Sequence, residues 1–460
     1  MAQTDLLNNL QAYADNMIKE HNIPAVSLAI WNNDELQQAA AGILNLNTGV
    51  TATTDSIFQI GSITKVMTTC LVMQLVDEGR IELDKPVKHY LRDFQIADSE
   101  ATESITVRQC LNHTNGIAGD FFPDDHGHEG NLIARYVDRC NLLPLIHPVG
   151  QMYSYSNSAF GIIGRLVEVV RGTSWYEAMR ESIFEPLGME HAIADPIDVI
   201  RYRAAMGHIF DGDNTDRWVL PKQPYLTLGL APVGSTPAMS AADLITFARA
   251  HLEGGLSQSG KRWLSPESIS AMQASQIKLP PFSQLSHKHA GLGWGLIDYH
   301  ASNTRVVSHA GATKGFLSML QLIPETNSAF AILMNGFKPT AFEAINRDLM
   351  AAVAGIECQE PDLEQRPVDL DDLKRYVGRY ESMDTLIEVR SQDRILMATV
   401  VYKIDPLPPQ TLALKQVEGG CFATFTEDGK RSQNLVFVEE NAEGVPAYLF
   451  ASSRLNNRIQ

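Results

Sequence analysis

Cysteine is scarce in this chain and poorly placed for cross-linking. The five residues (Cys70, Cys110, Cys140, Cys358 and Cys421) are odd in number, widely scattered and without CxxC spacing. A disulfide framework or thiolate zinc site is therefore not expected, and they read as reduced, buried thiols. Runs of Lys or Arg are also missing, and 37 basic against 54 acidic residues leave a formal net charge of −17. Such a surface repels phosphates, which excludes nucleic acid and anionic lipid as expected partners. No apolar stretch reaches 18 residues, so no membrane span is expected. The start Met1-Ala2-Gln3-Thr4-Asp5 has neither the basic residues nor the apolar run of a secretory signal, which predicts a cytoplasmic location. Internal repeats and low-complexity tracts are absent too.

What remains is an ordinary globular composition, 44% apolar and 20% charged over 460 residues. At roughly 100–200 residues per domain, that length allows two to four domains. Leu6, Leu10, Tyr13 and Met17 recur at helical spacing, predicting an amphipathic helix over 5–21. A strand is expected over 24–31, with a hairpin turn at Asn32-Asn33-Asp34. Residues 66–76 (VMTTCLVMQLV) are apolar on nearly every face, which predicts a helix at the centre of a domain. Further helices are expected over 158–171 and 241–253. Strand-like runs return at 305–308, 316–323 and 329–334, the last two joined by the turn Pro324-Glu325-Thr326-Asn327. Strands at both ends with helices between them imply an α/β domain whose sheet is completed by distant segments.

Residues 357–372 are acidic and contain Pro361 and Pro367, a linker signature. After it come short alternating runs at 386–389, 395–401, 411–414, 422–426, 434–438 and 447–451, with a hairpin signal at Asp428-Gly429. The chain accordingly divides into a domain over 1–356, a linker over 357–372 and a small antiparallel barrel over 373–460.

Chemistry concentrates in three places. In Gly61-Ser62-Ile63-Thr64-Lys65 the serine and lysine stand at i and i+3 at the start of the buried helix, where hydroxyl and amine meet. The helix N-terminus offers N–H groups to an oxyanion. Desolvation favours the neutral amine, which makes a base beside a nucleophile. Taken alone, this pattern is more commonly a serine cap followed by a solvated lysine. Tyr155-Ser156-Asn157 places a phenol and a carboxamide at i and i+2, on one side of an extended segment. The phenol can relay a proton and the amide can hold a carbonyl; the plainer reading is a polar turn before a helix. His309-Ala310-Gly311 lies on an expected strand, where Gly311 would let a substrate backbone approach. A strand histidine by itself is more commonly structural.

In this order the three motifs resemble the penicillin-recognising serine enzymes, in particular the class C β-lactamase, DD-peptidase, esterase and D-aminopeptidase branch. Phe58-Gln59-Ile60 before Gly61, the stretch Leu75-Val76-Asp77-Glu78-Gly79, Leu83-Asp84-Lys85-Pro86-Val87, Ile105-Thr106-Val107-Arg108-Gln109 and the turn Leu111-Asn112-His113-Thr114-Asn115-Gly116 extend the likeness over residues 10–350. It implies an α/β fold of the β-lactamase/transpeptidase type, an antiparallel sheet flanked by helices with a helical subdomain. The terminal barrel resembles the lipocalin-like appendage of some members, among them D-amino-acid-specific peptidases and peptide cyclases of nonribosomal pathways. The resemblance assigns Ser62 as nucleophile, Lys65 as base and Tyr155 as proton relay. It gives Asn157, His309 and Gly311 to substrate, with the N–H groups of Ser62 and Ala312 as oxyanion hole. No metal and no cofactor are called for.

The pattern departs at Ala310, where many relatives carry a Thr or Ser whose hydroxyl helps bind a substrate carboxylate. Poor β-lactam hydrolysis is therefore expected, with Thr313 or Lys314 the nearby groups that could compensate. Arg454 and Arg458 could meet a substrate carboxylate, but read more simply as solvated side chains. The cluster Asp120, Asp124, Asp125, His126, His128 and Glu129 reads as an acidic surface loop and not as a metal site. The expected activity is acyl transfer through Ser62 on peptide amide or ester bonds, by hydrolysis or by transfer to an amine. The alternatives are a carboxylesterase on small acyl esters and a catalytically silent binding protein. Partners are limited to a small-molecule or peptide substrate, and oligomeric state is left open.

Overall fold

The structure is a computed structural model that describes residues 3–123, 131–212, 214–281, 287–299, 304–357, 373–392, 395–403, 408–425 and 431–459. The linker beyond Glu357, all of the metal-like cluster except Asp120, and Asp428-Gly429 thus lie outside the described residues.

Its first unit is built on a nine-stranded antiparallel sheet. The strands Glu35–Asn45 and Ala25–Asn32 lie directly beside Ser328–Met334, Phe316–Ile323 and Thr304–Thr313. Strands separated by about 300 residues thus share one ladder, with Val26 opposite Met334 and Trp31 opposite Ala329. Both faces are covered, and the period-2 geometry of a strand sorts the side chains between them. From Ser328–Met334, Ala329, Ala331 and Leu333 face the large core, whereas Phe330, Ile332 and Met334 face a second one. The helices Leu10–Glu20 and Pro339–Ala354 cover that second face. The expected helix over 5–21 is in fact two, because the Asn9 side chain accepts from Ala12 N–H and caps a new start.

The helix Thr64–Asp77 runs through the large core. Val66, Met67, Cys70, Leu71, Val72 and Leu75 are fully buried, as an all-round apolar helix requires. The helices Asn157–Arg171 and Ala241–Leu252 pack in the same core. Cys70, Cys110, Cys140 and Cys421 are buried thiols. No helix among the described residues is long and apolar enough to cross a membrane.

The chain then closes an antiparallel barrel of eight strands between Gly378 and Arg458. Tyr376, Tyr380, Ile387, Leu396, Leu414, Phe422 and Phe437 cluster in its core. Two strands, Gly378–Glu381 and Arg454–Arg458, join the six that the alternation predicts; GRYE and RLNNR carry too little apolar signal to be read as strands. The barrel packs on the first unit through Tyr153, Leu279, Ala290, Cys421, Val436, Phe450 and Leu455.

Candidate active site

The helix bearing Lys65 begins with a 3-10 turn, Gly61–Ile63, which carries Ser62. Ser62 does not cap the helix; Ile63 occupies that position. Lys65 Nζ lies 2.9 Å from Ser62 Oγ and donates to the Val233 carbonyl at 3.1 Å. Lys65 is fully buried, and burial drives its pKa far below the ordinary lysine range. The Arg454 cation pushes the same way and Asp120 opposes. A neutral amine keeps one lone pair for the Ser62 hydroxyl proton while an N–H serves Val233.

Tyr155 lies with its ring centroid 4.9 Å from Lys65 Nζ. Burial raises its pKa, against the lowering effects of Ser62 and Arg454, so the phenol stays protonated. Asn157 does not continue an extended segment as expected. It is the first residue of Asn157–Arg171, with Ser156 as cap accepting from Ala159 N–H. The polar turn and the site are thus the same residues. Asn157 Nδ2 donates to Asp120 Oδ1 at 2.7 Å.

The HxG motif lies on Thr304–Thr313. The neighbouring strand Gly295–Tyr299 pairs with residues 304–308 only, and Ala310, Gly311 and Ala312 beyond it line the cavity that holds Ser62. His309 Nδ1 lies 2.7 Å from the Ala310 carbonyl, so Nδ1 carries the hydrogen and Nε2 is left as an acceptor. Burial, followed by Lys65 and His287, brings His309 down to about 3, and the ring is neutral. Gly311 lines the cavity and has a second reason beside the one expected. A Cβ there would lie 2.0 Å from the Ile60 carbonyl and 2.4 Å from Ser318 Oγ, so the bare backbone makes room for the segment leading into Ser62. At Gly61, with φ +51°, a Cβ would lie 2.7 Å from Ala312 N. The two glycines thereby bring the Ile60–Gly61 and Gly311–Ala312 backbones side by side.

Two expectations are corrected here. Asp120 is no surface loop residue; it is 5% exposed and pairs with Arg454, which is not a solvated side chain. Arg454 Nε donates to Asp120 Oδ2, Nη2 donates to Asp120 Oδ1 at 3.0 Å, and the guanidinium lies 5.1 Å from the Tyr155 ring centroid. Arg458 is also engaged, donating to the Arg375 and Val377 carbonyls and to the Tyr380 hydroxyl. Arg454 follows a two-residue turn, Ser452-Ser453, with φ of 48° and 65°, a hairpin geometry that requires positive φ at both positions. That turn sets the Ser453 carbonyl 2.9 Å from Tyr155 N–H, while Leu455 N–H donates to Ser154 Oγ at 3.2 Å. The barrel therefore holds the Tyr155 segment through two hydrogen bonds. Among the described residues no group of three or more His, Cys, Asp or Glu is arranged to hold a metal.

The cavity has a volume of about 350 Å³, with Phe122, Leu226, Leu230 and Val233 as its apolar wall. Among the described residues, Arg454 is the only cationic side chain lining it. A serine hydroxyl against a buried neutral lysine, beside a protonated phenol and an open strand edge, is an arrangement chemically able to carry nucleophilic acyl transfer.

The chain belongs to the Beta-lactamase family, whose profile matches residues 10–355. It is 36% identical over 371 residues to penicillin-binding protein 4 of Amycolatopsis lactamdurans, covering 80% of this chain and 95% of that one. A crystal structure of SurE with D-Leu superposes with a TM-score of 0.77 at 25% identity, over 98% of this chain and 99% of the other. A D-amino acid amidase from Ochrobactrum anthropi SV3 shares the fold at a TM-score of 0.63 and 21% identity, over 76% and 99% of the two chains.

Proposed function

We propose that this protein is a serine acyl-transfer enzyme acting through a Ser62 acyl-enzyme on peptide amide or ester bonds, with a D-residue on the acyl side. The observation that carries the reading is the 2.9 Å contact between Ser62 Oγ and the amine of a fully buried, neutral Lys65.

Lys65 takes the hydroxyl proton as Ser62 Oγ forms its bond to the substrate carbonyl carbon. The resulting oxyanion lies against the N–H groups of Ser62 and Ala312, a pair worth about 3–4 kcal/mol per donor in comparable sites. Tyr155 passes the proton from Lys65 to the leaving nitrogen or oxygen as the scissile bond breaks. Water or an amine then attacks the acyl-enzyme and gives its proton back along the same path, freeing Ser62. Asn157, fixed by Asp120, and the strand edge at Ala310–Ala312 position the acyl chain. The preference for a D-residue draws on the similarity to SurE, whose structure holds D-Leu. The cavity of about 350 Å³ is at the small end for ligand sites, which suits one residue flanking the bond. The Arg454 wall from the barrel restricts access on one side, and that exclusion of water favours transfer to an amine.

A second reading, a carboxylesterase on small acyl esters, is favoured by Ala310 and the neutral His309. Neither can hold a carboxylate, and Arg454 is already paired with Asp120. The same feature argues against β-lactam turnover, because one lost charge-assisted hydrogen bond is worth about 1.5–3 kcal/mol. A panel of D- and L-aminoacyl esters, peptide amides, p-nitrophenyl esters and a chromogenic cephalosporin separates these readings. The expected result is fast turnover of D-aminoacyl substrates and slow cephalosporin turnover. Turnover confined to simple acyl esters establishes the esterase, and rapid cephalosporin hydrolysis contradicts the role given to Ala310.

A further inference from the structure

His113 plays no part in the steps above, yet it contacts the Tyr155 segment at three points. Its ring is stacked on the phenol, with centroids 4.4 Å apart and planes at 29°. Its Nδ1 accepts from Ser156 N–H at 3.0 Å, and its carbonyl accepts from Ser154 N–H at 3.0 Å. One residue thus holds the positions before and after Tyr155 as well as the ring between them. Tyr153 and Phe160 pack around the same imidazole, at centroid distances of 5.5 and 5.2 Å. The residue is 4% exposed, and its backbone sits at φ 61°, in the left-handed region that non-glycine residues seldom adopt.

We propose that His113 is a positioning residue for Tyr155: its ring is the platform that sets the phenol between Lys65 and the leaving group. Because Nδ1 accepts from Ser156, the ring hydrogen is on Nε2. A proton on Nδ1 would break that bond and add a second cation beside Arg454. Burial above all, followed by Lys65, His309 and Arg454, which face the imidazole electrostatically, holds its pKa well below the usual histidine range. The inference rests on Tyr155 acting as the proton relay.

That dependence supplies the test. A relay matters most when the leaving group must be protonated, as an amine must, and least for p-nitrophenolate, which leaves as an anion. The probes are an N-acyl-D-leucine p-nitroanilide and the corresponding p-nitrophenyl ester, compared in single-turnover acylation. The variants are His113→Asn, which tolerates the left-handed backbone but lacks the ring, His113→Phe, which restores a ring without the acceptor, and Tyr155→Phe. His113→Asn is expected to lower anilide acylation about 10–100-fold and ester acylation less than about threefold. In the Tyr155→Phe background it should cost nothing further, as coupled residues behave. His113→Phe should recover part of the anilide rate although its Tm falls, because the buried Ser156 N–H loses its acceptor. Equal losses on both probes in folded variants, or additivity with Tyr155→Phe, would overturn the proposal and make His113 merely structural. If Tyr155→Phe itself affects both probes equally, the relay reading fails, and the positioning role fails with it.

Discussion

Lys65→Arg is expected to be almost as inactive as Lys65→Ala, with acylation reduced by about 10²–10⁴-fold, the range for loss of a general base. The guanidinium keeps the positive end of the side chain but does not release its proton at any working pH, so it cannot accept one from Ser62. It must also fit a fully buried site made for one nitrogen between Ser62 Oγ and the Val233 carbonyl. The pH dependence follows from the same chemistry. The pKa of Lys65 lies well below the lysine range, chiefly because the amine is buried. The active, unprotonated form therefore persists at neutral pH, and activity falls as pH drops through that lowered value. Tyr155, raised by burial, remains a protonated donor across the same range. The check is a pH profile of kcat/KM with an activated ester for the wild type and Lys65→Arg. A variant retaining more than about a tenth of the rate would contradict the base assignment.

Arg454→Ala is the second large effect. It leaves Asp120, 5% exposed, without its cation, and breaking a buried pair in this way typically costs about 3–5 kcal/mol. Asp120 also fixes the Asn157 amide, and Arg454 lies over Tyr155, so the loss reaches the substrate side of the cavity. The expected outcome is a lower Tm and a fall in kcat/KM of roughly 10–100-fold, with a kcal/mol equivalent of about 1.4 per tenfold. Arg454→Met combined with Asp120→Asn removes both charges, while the introduced amide oxygen can still accept from Asn157, and the pair should restore much of the Tm. If kcat returns while KM stays high, Arg454 touches the substrate. If both return, it acts only as the clamp on Asp120. An unchanged Tm and rate in Arg454→Ala would contradict the joint construction of the site by barrel and catalytic unit.

Local chemistry was legible in the sequence and long-range chemistry was not. The Ser62–Lys65 spacing survives because it lies within one helical turn, and the helix around it is apolar on every side. The strands over 316–323 and 329–334 were legible for the same reason, since dense apolar runs leave few alternatives. The pairing of Asp120 with Arg454 joins residues 334 apart. Each reads alone as a surface charge, and only the closure of the barrel brings the second to the first. Its last strand, RLNNR, carries almost no alternation, because its side chains serve the neighbouring unit and the barrel end as much as the barrel core. The one local signal that was available is Ser452-Ser453-Arg454, a short polar turn between two strands. His113 stood in a turn that belongs to the family pattern, yet its backbone strain and its stack on Tyr155 are properties of the folded chain.

The central claim is that Ser62 becomes covalently acylated. Intact-protein mass spectrometry after incubation with a fluorophosphonate, and then with a slowly released activated ester, measures it directly. One equivalent is expected to attach to the wild type, mapped by peptide digestion to Ser62, and none to Ser62→Ala. Labelling of Ser62→Ala at an undiminished rate, or a wild-type adduct on another residue, would contradict the account.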